Sequence, residues 1–506
     1  MIDAVELQVL SGALHAICEE MGAVLIRSAH SANIKERRDA STALFTPDGE
    51  MVMQAEHIPV HLGAMPAAVA AVLGEEHRPG RSWILNDPYR GGTHLPDITV
   101  VTPVFAGTAG LAKRGGHELI AFAANRAHHA DVGGPTPGSM PADSRTLQDE
   151  GVVIAPRILD ANAVAELSGL MRRPEQRRAD LRAQLAAGRI GALRAVELHA
   201  RTGTARLREA FAETLAYAER RTRACLAELD DGVYEARDVL EGRDGDLPIV
   251  LRATKRGAQL VLDFTGSAQQ YQGNLNCPLA VTRSACYFAL RVLTDPDIPA
   301  NAGAYRPLEV IAPEGSLLNA RSPAAVVGGN VETSSRIADV VLGAFGHALG
   351  QGTMNNLTLG NDDVVYYETI GGGQGACADA DGPSGVHVAM SNTLNTPVEA
   401  LELEFPMRVV EYSLRRGSGG AGRHAGGDGV VRELEALAPL RYSLITERRR
   451  HPPPGAAGGA AGQPGRNLLD GAELGPKVIG ELAPGQRLRI ETPGGGGYGS
   501  PASSGS

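Results

Sequence analysis

The sequence predicts an α+β protein of several subdomains, β-rich with mostly antiparallel or mixed sheets, a long-helix insertion in the middle and a β-rich C-terminal part. Three observations predict it. Short apolar, β-branched runs broken by Gly and Pro turns dominate residues 39–160 and resume after 232. A stretch rich in Ala, Leu, Arg and Glu fills 163–229. The 63 glycines and 31 prolines in 506 residues demand many turns and close backbone approaches. The expected organisation is an N-terminal α/β region carrying a metal site over 1–160, a helical segment over 161–231, a mixed α/β region over 232–400 and a β-rich region over 401–506.

The elements follow in order. Leu7, Leu10, Leu14, Ile17, Met21 and Val24 recur at three- and four-residue steps, one stripe of an amphipathic helix over 5–29. Residues 40–46 and 50–54, joined by Thr46-Pro47-Asp48-Gly49, read as a hairpin, because Asp-Gly supplies the turn chemistry. Residues 82–86 form a buried strand stopped by Asp87-Pro88, and 97–105 and 118–124 form two more around a loop over 106–117. Two long helices fill 163–229, broken near Thr202-Gly203-Thr204, with Thr204 as cap of the second. A hairpin turns at Lys255-Arg256-Gly257, helices cover 280–293 and 333–350, residues 400–499 are mostly strand, 452–465 is a loop, and 502–506 is a disordered tail.

Composition removes several classes of function. At 43% hydrophobic and 21% charged residues the chain is an ordinary globular one. A net charge of −10 argues against nucleic acid or an anionic membrane as partner, and 4% aromatics leave little to stack on bases. The basic runs Arg172-Arg173 and Arg448-Arg449-Arg450 are read as solvated surface. Cys18, Cys225, Cys277, Cys286 and Cys377 are scattered without a CxxC, which fits free thiols in a reducing compartment. No signal peptide precedes the first helix and no apolar stretch is expected to reach bilayer length, so the expected location is the cytoplasm.

Nine of the 14 histidines fall before residue 130, and that is where a metal is to be sought. Two segments concentrate the ligand chemistry: Gly91-Gly92-Thr93-His94-Leu95-Pro96-Asp97 and Asn125-Arg126-Ala127-His128-His129-Ala130-Asp131. Imidazole with carboxylate and no nearby thiol suits Zn, Mn or Fe and argues against a structural zinc. If 97–105 and 118–126 pair as an antiparallel hairpin, the start of the first lies beside the end of the second. His94 and Asp97 then share one end with His128 and Asp131, whatever the length of the intervening loop. Asp39, at the mouth of another strand, is placed to add an oxygen. His57 and His61 are spaced i, i+4, but Pro59 rules out the helix that would align them, so they stand as pocket-lining candidates. The glycine clusters at 371–375 and 495–499 match neither GxxxxGK[ST] nor a GxGxxG opening a helix, and are read as tight turns or close backbone packing. No GxSxG nucleophile elbow occurs, and the chain is not expected to bind ATP by itself.

These residues carry a resemblance. Asn33-Ile34-Lys35-Glu36-Arg37-Arg38-Asp39, His57-Ile58-Pro59-Val60-His61-Leu62-Gly63, Asn86-Asp87-Pro88-Tyr89 and the run 124–140 (ANRAHHADVGGPTPGSM) resemble signatures of the hydantoinase B family. So do Asp263-Phe264-Thr265-Gly266-Ser267, Gly328-Gly329-Asn330-Val331-Glu332-Thr333-Ser334, 392–401 (NTLNTPVEAL) and 492–499 (TPGGGGYG), so the likeness runs from end to end. That family includes hydantoinase B subunits, one half of 5-oxoprolinase, lactam hydrolases and acetone carboxylase alpha subunits. The resemblance implies a division of labour. A hydantoinase A-type partner, in an A2B2 hetero-oligomer, uses ATP and Mg²⁺ to phosphorylate the carbonyl oxygen of a cyclic amide. This chain then completes hydrolysis at a divalent Mn, Zn or Fe. By the same resemblance Asp39, His94, Asp97 and His128 hold the metal, His94, Asp97 and His128 carry catalysis, and His129 and Asp131 stay open as replacements or additions. Two alternatives stand beside this one: a carboxylase alpha subunit, which at 506 residues the chain is short for, and a non-catalytic scaffold for the ATP-using partner.

Overall fold

The computed structural model describes residues 2–56, 58–107 and 118–501. His57, His117, most of the loop expected over 106–117 and the tail expected over 502–506 lie outside the described residues.

Six strands build the sheet that matters most: β1 (Ala40–Phe45), β2 (Met51–Glu56), β3 (Ser82–Leu85), β4 (Asp97–Phe105), β5 (Leu119–His128) and β6 (Arg157–Leu159). Their order is β2-β1-β5-β4-β3-β6, and each neighbouring pair is antiparallel. Both expected hairpins, β1 with β2 and β4 with β5, are present. All of β4 is buried because both faces of the sheet are covered. Ala121, Ala123 and Val104 belong to a core with Leu14, Ile17 and Met21 of the helix Ala4–Ser28. The intervening Phe122 and Ala124, with Val101, belong to a second core with Met65, Val281 and Leu290. Alternation with a period of two feeds both layers from the same strands.

Beyond residue 232 the architecture is mixed, as the fold class anticipates. A four-stranded sheet runs Leu308–Ile311, Gln259–Asp263, Asp246–Arg256, Gly232–Glu241, with the first pair parallel and the others antiparallel. The C-terminal part contains a four-stranded and a five-stranded sheet, the latter ordered Met407–Arg415, Gly429–Ala436, Arg487–Glu491, Arg466–Leu469, Ala472–Leu474. One buried cluster contains residues from Ala43 to Ile445, so sequence-distant segments share a core.

Several expectations are corrected. The middle holds three helices, Ala161–Gly169, Pro174–Thr202 and Thr204–Glu228, because Pro174 starts a new helix at its first turn, where the missing N–H costs nothing. Thr204 is not the cap. Gly203, at φ 77, takes that place while its own N–H bonds the His199 carbonyl of the helix before (2.7 Å), and only glycine holds that angle without strain. The helix expected over 333–350 covers Ser334–Ala344, entered by a wide turn at Gly329–Thr333 and ended by Gly346 at φ 81. Arg448 is not solvated. It is 1% exposed and its Nη2 lies 2.6 Å from Asp339 Oδ2 and 2.7 Å from Asp238 Oδ2, a pairing that burial of a guanidinium requires. Finally, one apolar stretch does reach bilayer length: the helix Ala4–Ser28 has 25 residues and contains an 18-residue window of mean hydropathy 1.5. Leu14, Cys18, Met21 and Leu25 of this helix are buried among the residues of the fold, so its apolar face is that of a core helix.

The glycine clusters bear out close backbone packing. Gly373 N donates to Pro493 O (3.0 Å), Gly495 N to Gly427 O (2.9 Å) and Gly496 N to Leu349 O (2.8 Å), so chain segments lie side by side with no side chains between them. A Cβ on Gly495 would overlap the backbone carbonyl of Gln374. Gly495→Ala is therefore expected to destabilise the protein by at least about 2 kcal/mol, read as a lower urea midpoint. Gly12→Ala, on an exposed helix position where a Cβ would meet nothing within 4 Å, is expected to stabilise it by about 1 kcal/mol.

Candidate metal centre

The register of two strand pairs assembles the site. Asp97 opens β4 and pairs directly with His128 at the end of β5. Ala40 opens β1 opposite Ala127, so Asp39 falls beside His128, whose N–H donates to the Asp39 carbonyl (3.0 Å). His94 reaches the same rim through a tight turn in which Asp97 N donates to His94 O (3.1 Å). That turn is pinned from outside. The Asn86 side chain donates to Leu95 O (2.8 Å) and Val152 O (2.9 Å) and accepts from Ile154 N (2.6 Å). Arg126 Nη2 donates to Gly91 O (3.1 Å).

Asp97 is the hub. Its Oδ1 lies 3.2 Å from His94 Nε2 and 3.3 Å from His128 Nδ1. Its Oδ2 accepts a 2.6 Å hydrogen bond from Thr93 Oγ1 and lies 3.5 Å from His61 Nε2. One ligand atom from each of His94, Asp97 and His128 can be chosen so that all lie within 4.8 Å of one another. Exposure is 0% for His94 and His61, 1% for Asp97, 2% for His128 and 6% for Asp39. Bulk water therefore solvates none of these polar groups fully, and each needs a partner.

The electrostatics of the rim suits a bound cation. Burial opposes ionisation of Asp97, yet the surrounding imidazoles of His94, His128 and His61 outweigh it and hold the carboxyl well below its ordinary range. Asp39 goes the other way: burial and the negative charge of Asp97 push it up to about 7, against the pull of Arg37. Burial lowers His128 to about 4 and also lowers His61, so both rings are neutral at pH 7, the form in which imidazole binds metals. Two carboxyls crowded into one dry spot cannot both ionise without a positive charge between them.

The residues fit a divalent ion on structural grounds. Both ring nitrogens of His94 and Nε2 of His61 have no hydrogen-bond partner among the described residues, and His128 turns Nδ1 towards Asp97. Atoms bonded to one ion at about 2.0–2.2 Å stand roughly 3.0–3.5 Å apart in tetrahedral to octahedral arrangements, and the Asp97–His94 and Asp97–His128 separations match.

Of the residues singled out from sequence, His94, Asp97, His128 and Asp39 gather at this rim. His129 and Asp131 do not join them. His129 Nε2 lies 3.0 Å from Gln184 Oε1, towards the helix Pro174–Thr202. Asp131 ties a loop, accepting from Gly133 N (2.7 Å), Gly138 N (3.0 Å) and Arg172 Nη1 (3.1 Å). His61 matters more than its spacing suggested. Pro59 blocks an α-helix but starts a 3₁₀ turn over Pro59–His61 that turns His61 inward, with Nδ1 2.9 Å from Ser41 Oγ. Sequence reasoning missed a stack behind His128. The Tyr367 ring lies 4.5 Å from it at 18°, and the Arg37 guanidinium sits 4.6 Å from the centroid of the Tyr367 ring. Arg37 is held by Tyr367 O (2.8 Å), Thr369 Oγ1 (2.8 Å) and Thr393 Oγ1 (3.0 Å). Arg37 stood within a motif already noted; nothing local pointed to Tyr367.

The fold and the site together define an α+β protein with a buried His-Asp-His cluster of a kind that could hold a metal ion. A model of the Hydantoinase B/oxoprolinase family matches residues 3–501, and the chain belongs to that family. It is 40% identical over 98% of its length to 5-oxoprolinase 1 of Arabidopsis thaliana, of which it spans only 42%. It is 39% identical to an uncharacterized protein of Methanocaldococcus jannaschii, covering 99% of this chain and 91% of that one. Its structure resembles the crystal structure of the ATP-dependent caprolactamase from Pseudomonas jessenii, with a TM-score of 0.91, 28% identity and coverage of 99% and 92% of the two chains.

Metal analysis of the purified protein by inductively coupled plasma mass spectrometry is expected to find about one equivalent of Mn, Zn or Fe in the wild type. Asp97→Asn is expected to retain less than about a tenth of that, and His129→Asn to keep it. Chelation is expected to lower the melting temperature of the wild type and leave that of Asp97→Asn unchanged.

Proposed function

We propose that this chain is the metal-dependent subunit of an ATP-dependent cyclic amidase, acting on a carbonyl-phosphorylated lactam or hydantoin that an A-type, ATP-using partner supplies. The observation that carries the reading is the buried cluster of His94, Asp97 and His128 in a chain whose relatives include a 5-oxoprolinase and an ATP-dependent caprolactamase. The same unit makes up 42% of the plant 5-oxoprolinase and 91% of the archaeal protein. That contrast supports a module that works fused to, or alongside, the part that handles ATP.

The chemistry explains why two parts are needed. An unstrained amide is a poor electrophile, and O-phosphorylation makes its carbon reactive. Addition of one water there and departure of the ring nitrogen as an amine leave an acyl phosphate, and a second water cleaves it to the open-chain carboxylate and inorganic phosphate. A divalent metal bound at this centre supplies Lewis-acid activation near neutral pH. His94, Asp97, His128 and Asp39 would hold it. Thr93 and His61 fix the Asp97 carboxylate from its second oxygen, and the Tyr367–Arg37 stack sets the plane of the His128 ring. Such outer supports are what hold a reacting geometry to within about 0.5 Å. Burial keeps bulk water away from a phosphorylated intermediate that would otherwise be lost.

The test is co-expression with the A-type partner and measurement of ADP release across a panel of lactams and hydantoins, with and without bicarbonate. Ring-dependent release that ignores bicarbonate is expected, and His94→Ala or Asp97→Asn is expected to lower turnover by about 10³-fold or more with the fold intact by circular dichroism. Bicarbonate-dependent turnover of a ketone would make the chain a carboxylase subunit. Full turnover by Asp97→Asn would make it a scaffold.

A further inference from the structure

The metal centre is closed to bulk solvent, with its ligands no more than 6% exposed, so a substrate must reach it from an adjoining cavity. One described cavity is bounded by elements that also build the centre. Its wall includes Pro59, which opens the turn carrying His61, and Ser391 and Asn392, which lead into Thr393 and Leu394. Those two residues grip Arg37 through Thr393 Oγ1 (3.0 Å) and Leu394 O (3.4 Å). Arg37 in turn lies over Tyr367, which stacks on His128. The cavity measures about 350 Å³, at the small end of the roughly 300–1,000 Å³ typical of ligand pockets.

Its lining mixes apolar and polar groups. Phe288 and Val292, one turn apart on the helix Leu279–Leu293, join Leu342 in an apolar wall. Gln374, His387 and His347 supply polar lining, and Asp339, also at the wall, is paired with Arg336 and Arg448. His387 Nδ1 lies 2.6 Å from Ser391 Oγ, while its Nε2 has no hydrogen-bond partner among the described residues. Burial and the nearby Arg37 push His387 down to about 4, so the ring is neutral at pH 7. A neutral imidazole with one nitrogen engaged offers the other as donor or acceptor, according to tautomer. An amide edge carries both complements side by side, and the methylene body of a small ring suits the apolar wall.

We propose that this cavity, walled by Phe288, Val292, Leu342, Gln374 and His387, receives the substrate ring beside the metal centre and sets ring size and orientation. The assignment rests on the cyclic-amidase reading above. The substrate class it defines is a compact, uncharged ring with one amide edge and an aliphatic body, rather than a substrate carrying several charged groups. Phe288, Val292 and Leu342 determine ring size, and His387 is a positioning residue held by Ser391.

The experiment uses the complex with the A-type partner and rings of five to eight members. The wild type comes first: if no ring stimulates ADP release, the cyclic-amidase reading fails, whatever the cavity does. Given wild-type activity, Leu342→Ala is expected to shift the ratio of kcat/KM for large over small rings upward by about tenfold or more, since a methylene in an apolar pocket discriminates on that scale. Val292→Phe, at a position 42% exposed and so tolerant of bulk, is expected to shift the same ratio downward. His387→Gln is expected to raise KM for all rings about tenfold, with kcat changed by less than about threefold and metal content unaltered. Unchanged ring preference in both Leu342→Ala and Val292→Phe would overturn the assignment, as would a His387→Gln effect confined to kcat.

Discussion

Everything at the site turns on Asp97. It is a carboxylate taken out of water and set among the imidazoles of His94, His128 and His61. In isolation such a group would be costly, because burial penalises its charge by several kcal/mol. The three imidazoles at 3.2–3.5 Å offset that penalty, and a cation bound there would offset it further. Much of the surrounding structure makes sense as the means of holding this arrangement in place. Asn86 and Arg126 pin the His94 turn, Thr93 fixes one oxygen, and the antiparallel register sets Asp97 opposite His128.

That register is a short-range device with a long-range effect. In an antiparallel hairpin the first residue of one strand faces the last residue of the other, however long the connection. The ligands therefore depend on the pairing of β4 with β5 and not on the loop between them. Adding β1 on the far side of β5 brings Asp39 to the same rim. Three strand ends thus deliver four candidate ligands, while the two cores above and below the sheet keep the rim dry.

This explains what was legible in the sequence. Residues 97–105 and 119–128 show β-branched, apolar runs, so their pairing and the meeting of His94, Asp97 and His128 could be anticipated from the chain alone. The hairpin at β1 and β2 was legible for the same reason, through Asp48-Gly49. His61 was only half legible, because Pro59 excludes one helix type without announcing the 3₁₀ turn that replaces it. Tyr367 was not legible at all: its place behind His128 is set by packing between segments far apart in the chain. Arg448 misled for a related reason, since Asp238 and Asp339, the partners that permit its burial, are remote in sequence. The helix break at Gly203 was legible, through Thr202-Gly203-Thr204, whereas the end at Gly346 depends on a backbone angle that propensity does not encode.

The central claim is that one divalent ion binds between two strand ends, and anomalous X-ray diffraction at the absorption edges of Mn, Fe and Zn tests it most directly. The account predicts a single strong peak about 2.0–2.2 Å from ring nitrogens of His94 and His128 and from a carboxylate oxygen of Asp97. An ordered crystal of active protein with no such peak, and with those two imidazoles hydrogen-bonded to ordinary protein groups instead, would contradict it.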